Sequence, residues 1–263
     1  MLALLVVALA QDSGAQDAEA APAKTERFQI ERKSYPVVVE RWPGSEGPGV
    51  PVLVLFHQAR SSKGEYRPIA PRLCRLGYEC LLVDLGCGAE SRGIKNRTAV
   101  MATHHGFAPN YLDAATDVED ALRWARDNRP GSPVIAWGSS YSASLALVMA
   151  GTKPELVDGV LAFSPGEYFK TLGKGESWVR DSAATIHCPV FMTSAHSEWP
   201  EWRPIFEAVP VKKNAFLPEV EGVHGSSALW EESEGHEECW KAVEAFLREH
   251  FPVPAPVAVE APK

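Results

Sequence analysis

Short, uninterrupted apolar runs bounded by turn residues are the feature that most constrains the fold of this chain. Continuous rather than alternating hydrophobicity is typical of strands that are buried on both faces of a parallel sheet. Two earlier stretches, RFQIER at 27–32 and YPVVVERW at 35–42, indicate an opening pair of strands. The six apolar runs are PVLVLFH (51–57), CLLVDL (80–85), PVIAW (133–137), GVLAF (159–163), PVFMT (189–193) and AFLPEV (215–220).

Amphipathic helical patterns lie between these runs. Ile69, Leu73 and Leu76 recur at the spacing of one helix face, and Gly77 stands where a helix would end. Three further helical patterns follow, at 115–125, 142–150 and 240–247. This alternation predicts an α/β fold with a mostly parallel, doubly wound sheet of about eight strands and helices on both faces.

The predicted elements fall within a single domain, residues 27–251. The chain has 263 residues, of which 45% are hydrophobic, and this is enough for one substantial core. Residues 11–26 are predicted to form a disordered linker, and the Pro/Ala-rich residues 252–263 a tail that cannot pair as a strand. Residues 86–110 are expected to form a long loop over the carboxyl edge of the sheet.

The first ten residues, MLALLVVALA, have the length of the apolar core of a signal peptide. Ala8-Leu9-Ala10 fits a small-x-small cleavage site, so residues 1–10 predict export to the periplasm or the extracellular space. No run approaches the roughly 18 apolar residues that a membrane-spanning helix needs, and no membrane span is expected.

Charge and cysteine content exclude several classes of partner. A net charge of -8 and a pI near 5.5 argue against a nucleic-acid partner, which would require a basic face. The five cysteines form no CxxC pair, so no metal or redox motif is expected. A small-molecule substrate and a monomer or homodimer are expected instead.

Four serines stand at the turn VIAWGSSYSASLALVMAG, where a predicted strand passes into a predicted helix. A nucleophile on such a tight turn takes strained dihedral angles, and the residues two before and two after it must be small. Gly138 and Ser142 meet this requirement around Ser140. Ser139 fails it because Trp137 stands two residues earlier, and Ser142 lies too far into the helix. Ser140 is therefore the predicted nucleophile.

The segment Gly138-Ser139-Ser140-Tyr141-Ser142 resembles the G-x-S-x-G nucleophile elbow of the α/β-hydrolase superfamily, with serine in place of the last glycine. His224, in VEGVHGSSALW, matches the setting of that superfamily's catalytic histidine. The stretch FHQARSSKGEYRPIAPRLCRLGYECLLVDL is similar to small dienelactone-hydrolase-like esterases. The resemblance covers about residues 27–250 and implies the α/β-hydrolase fold. Only residues 164–188 stand where a cap would be inserted, so no large cap domain is expected.

The resemblance implies a catalytic triad in which His224 takes the proton of Ser140 and an acidic residue orients His224. Glu198, in the segment SAHSE, stands at the commoner acid position of the superfamily. Glu167, in FSPGEYF, is the alternative acid and could equally cap a following helix.

The same resemblance implies an oxyanion hole. Its donors are expected to be the backbone N–H groups of Tyr141 and of Gln58 or its neighbour. His57 is expected to shape this oxyanion loop rather than transfer protons. The chemistry needs no cofactor and no metal.

Loops near the carboxyl edge of the sheet supply candidate contacts to the substrate, namely His104, Tyr168 and Trp199. The predicted function is a serine hydrolase that cleaves small carboxylic esters through an acyl-enzyme. A peptidase or amidase that uses the same triad is one alternative. A binding protein that keeps the hydrolase fold without turnover is another.

Overall fold

The computed structural model describes residues 24–255, which form ten strands and seven α-helices. The strands are β1 Glu26–Ile30, β2 Val37–Trp42, β3 Val52–Phe56, β4 Glu79–Val83, β5 Glu90–Ser91, β6 Ile94–Lys95, β7 Val134–Ser139, β8 Gly159–Phe163, β9 Val190–Thr193 and β10 Lys213–Phe216. The helices are α1 Ala70–Arg75, α2 Arg97–His104, α3 Ala114–Asn128, α4 Tyr141–Thr152, α5 Trp178–Ala183, α6 Trp199–Ala208 and α7 His236–His250. The predicted signal peptide and most of the predicted linker and tail lie outside the described residues.

Eight strands form one sheet in the order β1-β2-β4-β3-β7-β8-β9-β10. β2 pairs antiparallel with β1 and β4, and every other neighbouring pair is parallel. The predicted mostly parallel, doubly wound sheet is therefore confirmed. The parallel register aligns Phe56 with Gly138 and Ser139 with Phe163, so the loops after these strands open at the same edge.

Both faces of the sheet are buried, as the continuous apolar runs predict. In β3, Val54 and Phe56 pack with Leu122 and Ala146 on the face covered by α3 and α4. Leu55, on the opposite face, belongs to the core formed with α1 and α7. Because successive side chains of a strand point to opposite faces, a strand covered on both sides has to be apolar throughout.

The segment between β8 and β9 contains a short 3₁₀-helix, Lys170–Leu172, and α5. It carries no large cap domain, in agreement with the sequence. The expected long loop 86–110 differs from the prediction, because it folds into the β5–β6 hairpin and α2. The Asn96 side chain accepts a hydrogen bond from Ala99 N and so caps the first turn of α2. Within residues 24–255, no helix is long and apolar enough to cross a membrane.

Candidate active site

Ser140 lies in the sharp turn between the end of β7 and the start of α4. Its backbone takes φ 60° and ψ −124°, a conformation that costs a non-glycine residue about 1–3 kcal/mol. Its N–H donates to Phe163 O at 2.7 Å, which fastens the turn to β8. The turn therefore stores strain at the residue that the sequence predicts as the nucleophile.

The two small residues that flank Ser140, Gly138 and Ser142, are required for different structural reasons. A Cβ at Gly138 would lie 2.4 Å from the backbone of Ala143, so this position accepts only glycine. Ser142 replaces the second glycine of the motif and is buried. Its hydroxyl donates to Phe56 O at 2.7 Å and accepts from Ser139 N at 2.9 Å. The serine thus joins β3 to the turn through a hydrogen bond that glycine could not make.

The remaining serines of the turn are also engaged in structural hydrogen bonds. Ser139 is buried, and its Oγ accepts the N–H of Ser226 at 2.9 Å. Ser144 Oγ donates to Gly166 O at 2.7 Å. The Ser226 bond also holds the segment after His224 against the nucleophile turn.

His224 and Glu198 form a hydrogen-bonded pair at the carboxyl edge of the sheet, joining His224 Nδ1 to Glu198 Oε1. Glu198 ends the short 3₁₀-helix that follows β9, and His224 directly precedes the 3₁₀-helix Gly225–Leu229. The hydrogen bond that His224 donates to the Glu198 carboxylate raises the pKa of His224 above its ordinary value. Burial acts to raise the pKa of Glu198, but hydrogen bonds from His224 and Ser164 outweigh burial and lower it. The pair therefore favours an imidazolium beside a carboxylate.

Ser164 completes this network, and sequence reasoning missed it. Its hydroxyl donates to Glu198 Oε2 at 2.6 Å and accepts the N–H of Gly225 at 2.8 Å. The available signal was its position directly after β8, at the edge where the other site residues lie. Ser164 has a positive φ of 55°, so a second strained residue fixes the orientation of the acid.

Glu167, the alternative acid, lies elsewhere. Its carboxylate accepts the N–H groups of Val179 and Arg180 at 3.0 and 2.9 Å, within the first turn of α5. A carboxylate at a helix N-terminus satisfies donors that have no partner within the helix. The structure thus brings Glu198, and not Glu167, to His224.

In the oxyanion loop after β3, the expectation that the N–H of Gln58 is an oxyanion donor is wrong. The N–H of Gln58 donates to the buried carboxylate of Glu65 at 2.8 Å and so points away from an oxyanion. The sequence offers Gln58 or its neighbour, so Ala59 becomes the candidate for the second donor. Tyr141 is the first residue of α4, and the first N–H of a helix has no intrahelical acceptor.

His57 links the oxyanion loop to the segment after β4 through hydrogen bonds of its ring. It is completely buried, and burial lowers its pKa, so its ring is neutral. Nε2 accepts the N–H of Leu85 at 3.0 Å, which leaves Nδ1 to donate to Gln58 O at 2.8 Å. These bonds hold the loop against the end of β4, in agreement with the predicted role of His57.

A cavity of about 630 Å³ lies next to Tyr168, and its wall includes none of Ser140, His224 and Glu198. Tyr168 lines it, donates its hydroxyl to Ser164 O at 2.7 Å and lies next to the Ser140 hydroxyl. The other two candidate contacts do not line the cavity. His104 is exposed, and Trp199 packs edge-on against Trp202 in the core. The cavity wall also includes Arg60, Cys87, Thr103, Asn110, Tyr111 and Leu172.

Comparison with known proteins places the chain in a family. The sequence pattern of the family described as "Serine aminopeptidase, S33" matches residues 49–198, a segment that contains Ser140 and Glu198 and ends before His224. The chain belongs to this family. It is thus a serine hydrolase of the α/β-hydrolase type, as the sequence predicts. No curated protein matches the sequence.

Solved structures show the same fold for the S33-family chain at low sequence identity. A dienelactone hydrolase from Anabaena variabilis is 14% identical, with a TM-score of 0.63 over 87% of this chain and 98% of its own. An esterase from Pyrococcus furiosus is 18% identical, with a TM-score of 0.62 over 87% and 93%. An acylaminoacyl peptidase from Pyrococcus horikoshii is 14% identical, with a TM-score of 0.64 over 90% of this chain and 43% of its own.

Proposed function

We propose that this chain hydrolyses small carboxylic esters through an acyl-enzyme on Ser140. The observation that carries the proposal is the hydrogen-bonded pair of His224 and Glu198, fastened to the strained turn that presents Ser140. The adjoining cavity has the volume of a small-molecule site.

The mechanism follows from the positions of these groups. Ser140 Oγ attacks the ester carbonyl carbon while His224 accepts the hydroxyl proton, and Glu198 stabilises the imidazolium. The N–H groups of Tyr141 and Ala59 hold the oxyanion, each donor being worth about 2.7–4 kcal/mol of the barrier. The intermediate then expels the alcohol, which takes the proton from His224. Water repeats the sequence on the acyl-enzyme and releases the carboxylic acid.

The cavity favours esters over peptides with a free amino terminus. An aminopeptidase must bind the α-ammonium group of its substrate, and a carboxylate is the side chain suited to that charge. The cavity wall includes no aspartate or glutamate, and its one charged side chain is the cation of Arg60. Tyr168 is a neutral phenol, because burial raises its pKa to about 12. Within the wall of this cavity, a substrate ammonium group would therefore meet the cation of Arg60 and no carboxylate.

A substrate panel tests the proposal. We expect kcat/KM on p-nitrophenyl esters, from acetate to decanoate, to exceed kcat/KM on aminoacyl p-nitroanilides. Purified Ser140→Ala protein serves as the control for contaminating host esterases. Faster cleavage of the aminoacyl anilides would replace the ester proposal by the peptidase alternative. Absence of both turnover and fluorophosphonate labelling in folded protein would favour the binding protein.

We also propose that the chain is exported and acts as a monomer or homodimer. The apolar run 1–10 and its small-x-small end support export. We expect protein recovered from the periplasm of a Gram-negative host to have the intact mass of a chain that begins at or near Gln11. Recovery of only the uncleaved chain from the cytosol would contradict this expectation.

A further inference from the structure

Glu65 is a buried carboxyl group that the mechanism above does not use. It lies in the 3₁₀-helix Lys63–Tyr66, directly after the oxyanion loop, and its side chain is 0% exposed. Oε2 accepts the N–H of Gln58, whereas Oε1 has no hydrogen-bond partner among the described residues. The hydroxyls of Ser61 and Ser139 lie alongside, and His224 is close enough to act on the carboxyl electrostatically. Burying a carboxyl group with so few partners is costly, so its presence requires an explanation.

The other carboxylates buried in the described core differ from Glu65 in having a cation. Asp84 pairs with Lys63, Asp117 pairs with Arg32, and Glu40 pairs with two arginines, Arg27 and Arg67. No lysine or arginine of residues 24–255 forms an ion pair with Glu65. The charge that it meets is that of His224 when the imidazole is protonated. The carboxyl of Glu65 therefore lies within electrostatic reach of His224 and, among the described residues, has no lysine or arginine as an ion-pair partner.

The segment that carries Glu65 is held firmly. Ser62 Oγ accepts the N–H of Gly64 at 3.1 Å and caps the 3₁₀-helix, and the N–H of Lys63 donates to Asp84 Oδ1 at 2.8 Å. Trp230, which follows His224 in the sequence, donates its Nε1–H to Glu65 O at 2.9 Å. Glu65 thus connects the oxyanion loop to the segment that carries the base.

We propose that Glu65 is a positioning residue for ester hydrolysis: it turns the N–H of Gln58 inward so that Ala59 presents its own, and its negative charge stabilises the His224 imidazolium. The proposal rests on the proposed esterase function. A backbone N–H that donates to Glu65 is not available to an oxyanion, so capture of the Gln58 N–H leaves that role to the next residue. The charge acts through space, because His224 Nδ1 is already bonded to Glu198.

Protonation of Glu65 takes place near neutral pH. Burial raises the pKa of Glu65 to about 7, although the neighbouring Ser139 hydroxyl and the hydrogen bond from the Gln58 N–H act to lower it. The titratable groups that face it are His224, from the loop before the 3₁₀-helix Gly225–Leu229, and Tyr66 on its own helix, whose pKa burial keeps well above its ordinary value. Below pH 7 the carboxyl is neutral and the imidazolium loses its support. The acid limb of kcat/KM therefore contains two ionisations, those of His224 and Glu65.

The Glu65→Gln variant tests the proposal, because the amide oxygen can still accept the Gln58 N–H while the charge is lost. We expect kcat/KM for p-nitrophenyl acetate to fall about tenfold at pH 8, mainly through kcat, as for one pKa unit of lost interaction. Since the ionised carboxyl raises the pKa of His224, we also expect the acid limb to move to lower pH and to fit a single ionisation. A purely structural role would change neither the position nor the shape of this limb.

Glu79→Gln is the matched control. Glu79 is also buried, but it lies at the amino end of β4, away from the site, and pairs with Arg41 and Arg129. We expect this variant to lose thermal stability and to keep the wild-type pH profile. A Glu65→Gln enzyme with the rate and profile of the wild type would overturn the positioning role and leave the esterase function intact.

A measurement on the wild type alone decides the question if Glu65→Gln does not fold. The rate of fluorophosphonate inactivation is followed between pH 5 and 9, which reports on the free enzyme without turnover. We expect an acid limb that requires two ionisations. A limb described by one ionisation would overturn the proposal.

Discussion

Ser140→Ala is expected to abolish both fluorophosphonate labelling and ester hydrolysis, with a loss in kcat of about 10⁶-fold, as for removal of the nucleophile in other triads. The fold should be retained, because the Ser140 side chain makes no hydrogen bond that holds the turn, whereas its backbone N–H does. Labelling on a gel, p-nitrophenyl ester kinetics and a thermal melt together check this expectation.

Ser142→Ala is the control for Ser140→Ala, and its expected effects are the opposite. It leaves Ser139 N without the Ser142 hydroxyl in a buried site, which costs about 1–3 kcal/mol of stability, whereas Phe56 O keeps the hydroxyl of Tyr66. The melting temperature should fall while measurable labelling and turnover remain. A Ser140→Ala protein with near-normal kcat would show that the turn does not carry the nucleophile.

Glu198→Gln is expected to lower kcat by about 10⁴-fold, as when the carboxylate of a triad becomes an amide. The carboxylate accepts two hydrogen bonds, one from the Nδ1–H of His224 and one from the hydroxyl of Ser164. An amide keeps the shape but removes the charge that stabilises the imidazolium, and its NH₂ group favours the wrong tautomer of His224. Stopped assays with p-nitrophenyl acetate at saturating substrate measure kcat directly.

The pH dependence of Glu198→Gln gives a second check. The Glu198 hydrogen bond raises the pKa of His224, and kcat/KM is lost as the pH falls through that value because the base becomes protonated. Removal of the carboxylate lowers the pKa of His224, so the residual activity should persist to lower pH than in the wild type. A limb that moves to higher pH would contradict the assignment of the acid.

Glu167→Gln provides the matched comparison, since it makes the same chemical change in the other candidate acid. Glu167 accepts two backbone N–H groups of α5 and makes no contact with His224. Its variant should lose about 1 kcal/mol of stability, typical of a helix cap, and little kcat. The reverse ranking of the two variants would reassign the acid to Glu167 while leaving Ser140 and His224 in place.

Local sequence was sufficient to predict the structure wherever the conformation of a short segment depends on its own residues. The first five apolar runs became the strands β3, β4, β7, β8 and β9, because each is buried on both faces. Gly138 marks the elbow because a Cβ at this position would lie 2.4 Å from the backbone of Ala143. The last strand shows the limit of such patterns. It was placed at 215–220, but β10 occupies Lys213–Phe216, and Pro218 cannot donate to a strand ladder.

The loop 86–110 was harder to predict because its structure depends on partners elsewhere in the chain. The Asn96 side chain caps α2 and also donates to Leu85 O at 2.9 Å. Trp199 illustrates the same difficulty for candidate binding residues. An aromatic ring after a strand can face substrate or core, and here it packs against Trp202.

The sequence by itself determined the fold class and the candidate nucleophile, because both follow from periodicity and from steric limits within a few residues. Tertiary structure alone decided which carboxylate meets His224 and that the buried Glu65 accepts the N–H of Gln58. Glu198 contacts His224 and Ser164, which are 26 and 34 residues away in the sequence. The hydrogen bond between Glu65 and Trp230 joins residues that are 165 positions apart. Such contacts leave no local pattern, since they depend on how the loops converge at the carboxyl edge of the sheet.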